Sequence, residues 1–179
     1  MLCQDNHDFD SFDAPWAQLA QRGWISLPTG QYMVMVEDEG SKLNLNTVTE
    51  SMLRSLTILN EEMIDSFLDW RDVDDDTRSQ GAEKEYYLYI DGGYEPTNGL
   101  FESVEELKYI KGFGEKYSQM SALFTVYGKF NPNTVSADAF DALLVALDID
   151  LFQAQMATND LIAYRKSGKK VVEEDDLKA

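Results

Sequence analysis

Apolar residues recur at helical spacing along the stretch from Met52 to Leu68. Its first part, up to Leu59, follows Thr47-Val-Thr-Glu50, a capping-box pattern that predicts the start of a helix. The same spacing returns from Met63 and predicts a second helix that ends near Trp70. The pattern therefore predicts two consecutive helices, each with one buried apolar face.

Helix-start signals occur at three other places. Pro15 suits the first turn of a short helix that stops at Gly23. Ser103-Val-Glu-Glu106 is a second capping box, and the helix behind it should run through Ile110. Ser136 is the expected N-cap of an amphipathic helix, whose apolar side is formed by Phe140, Leu143, Leu144 and Leu147.

Few segments favour strands. The residues from Tyr32 to Val36 form one short β-prone run, and those from Tyr86 to Ile90 form another that the glycines after Asp91 close. A last helix is expected from about Leu151 to Arg165. The chain is therefore predicted to be helix-rich, with a few short strands, in the α+β class.

Two segments share the form apolar-Asn-x-Asn-Thr and each precedes a predicted helix: Leu43 to Thr47 and Phe130 to Thr134. Asparagines two residues apart in an extended chain lie on the same side. Their amides can bind neighbouring backbone, while the last asparagine or the threonine caps the helix. Two ordinary polar helix entries are the alternative explanation.

Carboxylates crowd the loop that follows Trp70. The EF-hand calcium loop places oxygen ligands at positions one, three, five, nine and twelve. Converging carboxylates repel one another unless a divalent ion lies among them, so the loop is predicted to bind such an ion. A solvated acidic loop, partly neutralised by Arg71 and Arg78, is the alternative. Counted from Asp72, the ligand positions hold Asp72, Asp74, Asp76, Gln80 and Glu83.

The acidic loop also departs from the EF-hand pattern. Position six holds Thr77 where the pattern requires glycine for a sharp turn, and Gly81 lies elsewhere. No strong helix is predicted after Glu83. A true EF-hand is therefore rejected, and a different divalent-cation loop is predicted.

The segment from Leu107 to Gly114 resembles the turn of a helix-hairpin-helix, in which glycine amides meet a phosphate. Lys108, Lys111 and Lys116 support that interpretation, whereas the glutamates around them and the absence of a broad basic face oppose it. The glycines fit a tight turn between packed helices equally well. Packing is the favoured role, and a nucleic-acid-binding protein is the alternative.

The chain carries 33 acidic and 15 basic residues, which gives a formal net charge of −18. A field of this sign repels phosphate backbones, so cations and basic surfaces are the expected partners. Cys3 is the only cysteine, which excludes an intramolecular disulfide. No spanning apolar run and no signal peptide is visible, so the protein is expected either to be cytosolic or to have its targeting segment outside this sequence.

Catalysis has little support in the sequence. His7 is the only histidine and lies in a segment expected to be loose, so a Ser-His-acid or Cys-His site lacks a well-held base. No Walker sequence or dinucleotide glycine pattern occurs. A glycosidase-like carboxylate pair is not readable from sequence. A non-enzymatic protein is therefore predicted.

Several motifs, taken in order, resemble the K-type minor pseudopilins of the type II secretion system, over a match from about Asp8 to Arg165. The motifs are Asp10 to Trp16, Glu37 to Asn46, Asp69 to Asp74, Gly81 to Glu83 with Tyr86 and Tyr87, Pro96 to Asn98, Ser103 to Leu107, and Asn131 to Thr134.

The resemblance implies a pilin-like α/β domain with a large, mostly helical domain inserted into it. On that basis residues 1–45 and about 125–179 form the pilin-like part, and residues from about 46 to 124 form the helical insertion with the acidic loop. The N-terminal transmembrane helix of the family is absent from this sequence.

The resemblance also implies a function. Family members sit at the tip of the pseudopilus, where they cap and initiate assembly with I-type and J-type minor pseudopilins for protein export across the outer membrane. Their place is the periplasm, with an anchor in the inner membrane. A family member carries calcium in its helical domain, and this implies Asp72, Asp74, Asp76 and Glu83 as ligands, with Asp69 and Asn98 as further candidates. A cytosolic calcium-binding module or hydrolase is the remaining alternative.

Overall fold

Helices dominate the fold and the strands are short. The computed structural model describes residues 11–20 and 23–171. The strands form two separate pairs, β1 with β2 antiparallel and β3 with β4 parallel. The helix-rich α+β class is thus confirmed. The helices are α1 (Pro15–Ala20), α2 (Glu50–Ser55), α3 (Glu61–Arg71), α4 (Lys84–Tyr89), α5 (Tyr117–Met120), α6 (Ala137–Ala146) and α7 (Leu151–Lys166), and the strands are β1 (Ile25–Leu27), β2 (Gly30–Tyr32), β3 (Leu43–Asn44) and β4 (Phe124–Thr125).

Phe67 on α3 lies at the centre of the main hydrophobic core. Its ring is fully buried and stacks on Phe101 with the ring centroids 5.0 Å apart. Phe113 and Phe124 approach it from two other sides, each with ring centroids 6.3 Å away. Aromatic clusters of this kind bury a large apolar area around one residue. The core thereby joins α3 to segments far from it along the chain.

The predicted α3 is confirmed, and α2 begins later than expected. Asn60 caps α3 by accepting a hydrogen bond from the Met63 backbone N–H at 2.9 Å. The N-cap of α2 is Thr49, not Thr47, because the carbonyl of Asn44 accepts the Thr47 N–H and holds that residue in the preceding turn. The helix also ends at Ser55, so Leu56 and Leu59 are buried from a loop.

The strand predicted for Tyr86 to Ile90 is wrong, since this segment belongs to α4. Tyr87 alone of its residues is fully buried, and it packs edge-on against Trp70 with ring centroids 5.1 Å apart. One and a half helical turns bury that ring while Tyr89 stays in solvent. Of the other β-prone run, Tyr32 to Val36, only Tyr32 belongs to a strand.

Two other helix predictions are confirmed in part. The capping box at Ser103 is present, but the helix it starts is a 3-10 helix, Val104–Lys108. Ser136 caps α6 as predicted. The buried side of α6 is formed by Ala139 and Ala142, which pack towards α2 and α7, because small side chains let helices approach closely. The predicted apolar side is therefore half-buried or exposed: Phe140, Leu143, Leu144 and Leu147.

The two asparagine segments make the same backbone contacts. Asn44 Oδ1 accepts the Asn46 N–H at 2.9 Å, and Asn131 Oδ1 accepts the Asn133 N–H at 3.0 Å. The second asparagine of each pair binds a distant residue in both directions: Asn46 binds the N–H and C=O of Phe101, and Asn133 those of Val171. The prediction that these amides tie down backbone is confirmed. The prediction that the same segments cap the helices is wrong, because Thr49 and Ser136 do so.

Two arginines complete the likeness between these segments. Arg71, at the end of α3, donates to the carbonyls of Leu45 and Val48 at 2.8 Å each. Arg165, near the end of α7, donates to the carbonyls of Pro132 and Val135. Each unit is therefore an asparagine turn, two capped helices and a closing arginine. In the second unit the chain passes from Arg165 directly to Val171, whereas residues 72–100 intervene before Phe101 in the first.

No helix within residues 11–20 and 23–171 is both long and apolar enough to cross a bilayer. The division into a pilin-like part and a helical insertion stays a prediction.

Candidate metal centre

The acidic loop from Asp72 to Glu83 connects two helices. Asp72 is the C-cap of α3, and Glu83 is the N-cap of α4. No strong helix was expected after Glu83, and the helix that follows it is short, with 6 residues. It replaces the strand predicted from Tyr86. A helix precedes and a helix follows the loop, which fixes the directions in which the chain enters and leaves it.

Three of the predicted ligands converge. Carboxylate oxygens of Asp72, Asp74 and Glu83 all lie within 4.8 Å of one another. Asp74 is exposed, Asp72 is half-buried and Glu83 is buried, so the group reaches from solvent into the protein. Oxygens at this separation can bind one divalent cation of the hard class.

Several oxygens at this place are buried and accept no hydrogen bond. They are Oδ1 of Asp72, both carboxylate oxygens of Glu83, and Oδ1 of Asn98. A buried acceptor without a partner destabilises the fold by about 1–3 kcal/mol, and by more if it is charged. Asn98 also has a positive φ of 42° and donates its amide N–H to the Asp74 carbonyl at 3.1 Å. Asn98 is thus held against the loop with its oxygen unpartnered, as a ligand would be.

The pKa of Glu83 is raised strongly. Burial, together with the negative charges of Asp69, Asp72, Asp75 and Asp74, raises the pKa of Glu83 to about 7 from its usual 4.5. Like charges disfavour ionisation in a site that lacks a counter-ion. A cation bound between these groups would favour the ionised carboxylate and so lower this pKa.

Asp69 and Asp76, the other predicted ligands, lie outside the converging group. Asp69 is fully buried on α3, where its carboxylate binds Arg78 through Nη1 at 2.7 Å and through the backbone N–H. Asp76 is exposed, and its backbone N–H donates to Asp74 Oδ1 at 2.9 Å. Gln80, the position-nine candidate, contributes its backbone to the loop rather than its side chain: its N–H binds Asp65.

Sequence reasoning missed the residues that hold the loop on α3. Asp65 Oδ2 accepts the Gln80 N–H at 3.0 Å, and a Cβ atom on Gly81 would lie 1.9 Å from Asp69 Oδ2. Asp65 lies one helical turn before Asp69, and that i, i+4 spacing was a usable signal. Arg78 Nη1 also binds Asp72 Oδ2 at 2.5 Å, which leaves Oδ1 of the same carboxylate unpartnered.

The donor set fits a hard divalent cation. Every converging atom is an oxygen, and the neighbouring unpartnered oxygen of Asn98 adds a neutral amide ligand of a kind that calcium accepts. Thiolate and imidazole ligands, which softer metals prefer, are absent from the described group. The site can therefore bind calcium or magnesium through side chains that come from the loop, the start of α4 and the segment around Asn98.

The glycine hairpin that resembles a nucleic-acid element packs inside the protein. Gly112 has a φ of 85°, and Ile110 and Phe113 are buried. Lys116 Nζ donates to the Ile58 carbonyl at 3.1 Å, and Lys108 Nζ lies over the Tyr117 ring. The element after Gly112 is a three-residue 3-10 helix, Gly114–Lys116, which is too short to present an anion-binding terminus. The geometry favours the packing role. His7 and Cys3 lie outside the described residues.

A family model described as "Type II secretion system (T2SS), protein K" matches residues 35–129, just over half of the chain and all of the acidic loop. No curated protein matches at a significant level. The fold is similar to that of a chain in the crystal structure of the GspK-GspI-GspJ complex from the type 2 secretion system of enterotoxigenic Escherichia coli, with a TM-score of 0.61 and 21% sequence identity. The similarity covers 79% of this chain and 58% of that one, so this chain spans well under two thirds of the solved one. By the match to the protein K model, this chain belongs to the K family of minor pseudopilins of the type II secretion system.

Proposed function

We propose that this chain works at the tip of the type II secretion pseudopilus, where it caps the filament and initiates assembly with I-type and J-type minor pseudopilins. Family membership over residues 35–129 supports this role. The similar solved structure is a GspK-GspI-GspJ complex, and this supports the choice of partners. The role is structural: the protein acts by shape and docking in protein export across the outer membrane.

In this proposal the protein lies in the periplasm and is anchored in the inner membrane. A pilin-like part, assigned to residues 1–45 and about 125–179, packs into the filament, and the helical part forms a bulky head. Such a head blocks further subunit addition without exposing long sheet edges. The described strands are two or three residues long, which is in keeping with a surface that resists strand addition.

We further propose that the head binds calcium through Asp72, Asp74, Glu83 and Asn98. The observation that carries this part is the set of buried oxygens without donors on Asp72, Glu83 and Asn98. Calcium takes six to eight oxygen ligands, so backbone carbonyls, water, Asp76 or Asp69 complete the shell. When bound, the ion supplies positive charge that holds the carboxylates together and orders the loop.

Assembly is tested by mixing the purified chain with the periplasmic parts of the I-type and J-type minor pseudopilins of the same organism. Size-exclusion chromatography with light scattering should show one complex containing all three. A chain that elutes alone at micromolar concentrations, in calcium and in EDTA, contradicts the proposed partners. A parallel run with the I-type and J-type subunits alone shows whether those two remain competent to associate.

Calcium binding is tested by isothermal titration and thermal melts in calcium, in magnesium and in EDTA. A ligand that binds only the folded state raises stability by RT ln(1 + [L]/Kd), so millimolar calcium should raise the melting temperature. The matched variant Asp91→Asn removes an acidic charge from the turn after α4 and should keep the response, whereas Glu83→Gln should lose most of it. A melting temperature indifferent to calcium contradicts the site, and one moved equally by magnesium contradicts its assignment to calcium.

A further inference from the structure

Lys111 holds the segment that carries Glu83 at two points. Its ammonium Nζ donates to the carbonyls of Gln80 at 2.9 Å and Gly81 at 3.2 Å, just before Glu83 in the chain. Its backbone N–H donates to the Tyr87 hydroxyl at 3.3 Å, one helical turn after Glu83. The end of the acidic loop and the middle of α4 are therefore both fixed to one residue of the glycine hairpin.

The hairpin is in turn fixed against α3. A Cβ atom on Gly112 would lie 3.0 Å from Met63 Cγ, which shows how closely the turn packs on the first turn of that helix. This packing brings Lys111 Nζ to 3.4 Å from Glu62 Oε2, so an ammonium group with three N–H donors faces three acceptors. The side chain of Lys111 is only 22% exposed.

The side chain of Glu83, in contrast to that of Lys111, makes no hydrogen bond. Both of its carboxylate oxygens lack a hydrogen-bond donor, and as the N-cap of α4 it makes no side-chain cap. Its carboxylate is therefore positioned by the backbone on either side of it. That backbone is bound by Asp65 at Gln80 and by the Lys111 ammonium at Gln80 and Gly81. The Lys111 N–H holds α4 through the Tyr87 hydroxyl.

We infer that Lys111 is a positioning residue for the metal centre, which presents the Glu83 carboxylate to the bound cation by holding residues 80–87 in place. The inference rests on the proposed calcium site. It gives the helix-hairpin-helix-like segment a role inside the protein, in which its lysine binds loop carbonyls instead of phosphate. Contacts that orient metal ligands in this way commonly influence how tightly the metal is bound.

The direction in which Lys111→Met changes calcium affinity separates a positioning role from a purely electrostatic one. Lys111 is a cation close to an acidic site, so its charge alone opposes the binding of another cation. If charge were its only influence, Lys111→Met would strengthen calcium binding. If Lys111 positions Glu83, the same variant weakens binding in spite of the more negative field.

The experiment measures calcium affinity by titration for wild type, Lys111→Met, Lys111→Arg and the control Lys108→Met. Lys108 belongs to the same hairpin but lies over the Tyr117 ring, away from the loop. Lys111→Met should weaken binding by about 10–100-fold. Lys111→Arg keeps the charge and the donors and should recover most of the affinity, and Lys108→Met should bind calcium at least as well as wild type.

Terbium luminescence tests whether Lys111 acts through Glu83. Lifetimes in H2O and D2O count the waters on bound terbium, an ion that substitutes for calcium. Glu83→Gln and Lys111→Met should each increase the number of waters on bound terbium. Combining Lys111→Met with Glu83→Gln should give no further increase, because the effects of residues that act through one contact do not add.

The outcomes separate the two proposals. Wild-type protein that binds no calcium overturns the calcium site itself. Wild-type protein that binds calcium, with Lys111→Met binding equally or more tightly, leaves the site standing and overturns the role of Lys111. Circular dichroism in EDTA shows whether Lys111→Met is folded, and if it is not, the folded Lys111→Gln variant is measured in its place.

Discussion

Asn46 and Phe101 exchange two hydrogen bonds although they are 55 residues apart: Asn46 Nδ2 donates to the Phe101 carbonyl at 3.0 Å, and the Phe101 N–H donates to Asn46 Oδ1 at 2.8 Å. One amide side chain thereby satisfies both polar groups of a buried residue, as a neighbouring strand would. Because Phe101 stacks on Phe67, the contact sets where the chain re-enters the core after the acidic loop and α4.

Replacing Asn46 by Asp should destabilise the fold by about 1–3 kcal/mol, because the new oxygen faces the Phe101 carbonyl and leaves it without a donor. Urea denaturation at pH 7 measures the change. Asn44→Asp is the matched control: only the Asn44 side-chain oxygen is used, in accepting the Asn46 N–H, so aspartate can replace it at little cost. Equal losses for the two variants would contradict the importance of the Phe101 contact.

Gly81→Ala should disturb the loop through its Cβ atom alone. That atom would lie 1.9 Å from Oδ2 and 2.8 Å from Cγ of the fully buried Asp69, so the loop or α3 must move. Overpacking of this kind costs about 1–3 kcal/mol, and the displaced loop should also bind calcium less tightly. Gly30→Ala is the control, since its Cβ atom meets nothing within 4 Å. Thermal melts and calcium titrations that do not distinguish the two variants would refute the close approach.

Arg78→Ala should be more damaging than Arg54→Ala. Arg78 is the cationic partner of the fully buried Asp69, and its loss leaves that carboxylate with backbone donors only. After allowance for the partial exposure of Arg78, a destabilisation of about 1–3 kcal/mol is expected. Arg54 makes pairs of similar length with Glu50 and Glu61, but all three side chains lie in solvent, so chemical denaturation should detect little change. A loss for Arg54→Ala as large as that for Arg78→Ala would show that burial does not decide the effect.

Glu83 should make metal-free stability depend on pH. In the folded protein its pKa is about 7 against 4.5 for an ordinary glutamate, so the folded state binds more protons between these values. Stability in EDTA should therefore fall as the pH rises from about 4.5 to 7, and stay low above that range. Glu83→Gln removes the titration and should be more stable than wild type at pH 8 in EDTA, by at most about 3 kcal/mol.

Calcium should invert the order of these two proteins at pH 8, because the ion stabilises wild type and Glu83→Gln binds it poorly. Melts of both proteins at several pH values, with EDTA and with calcium, check this. If the melting temperatures of wild type and Glu83→Gln in EDTA change in parallel from pH 4.5 to 8, the raised pKa of Glu83 is excluded.

The sequence predicted α3 and α7 well because regular apolar spacing over more than two turns is a strong local signal for a helix. The apolar spacing from Met63 indicated α3, and its predicted end near Trp70 lies one residue from the observed end at Arg71. The expected span of α7, from about Leu151 to Arg165, likewise lies close to the observed Leu151–Lys166. The convergence of Asp72, Asp74 and Glu83 could also be anticipated, because the spacing of these carboxylates along the loop follows a recognisable pattern. Their role as metal ligands stays a prediction.

The features that sequence reasoning missed depend on distant partners. The segment after Glu83 is helical because Tyr87 must reach Trp70, and no local spacing reveals that contact. Lys111 binds backbone carbonyls, which every residue possesses, so nothing in the sequence marks its partners. Asp76 fits the ligand spacing as well as Asp74 does, and only the path of the loop in three dimensions turns its side chain away from the group.

The acidic loop and α4 lie between two anchored points of the first unit. Arg71, just before the loop, is bound to the carbonyls of Leu45 and Val48. Phe101, after α4, is bound to Asn46. In the second unit the equivalent anchors are joined by the few residues between Arg165 and Val171. The exposed parts of residues 72–100 can therefore change in length or composition without displacing either anchor, as long as Tyr87 still packs against Trp70. Natural variation among K-type pseudopilins should accordingly concentrate between these two points, where a lineage can gain or lose the proposed metal site without rebuilding its helical framework.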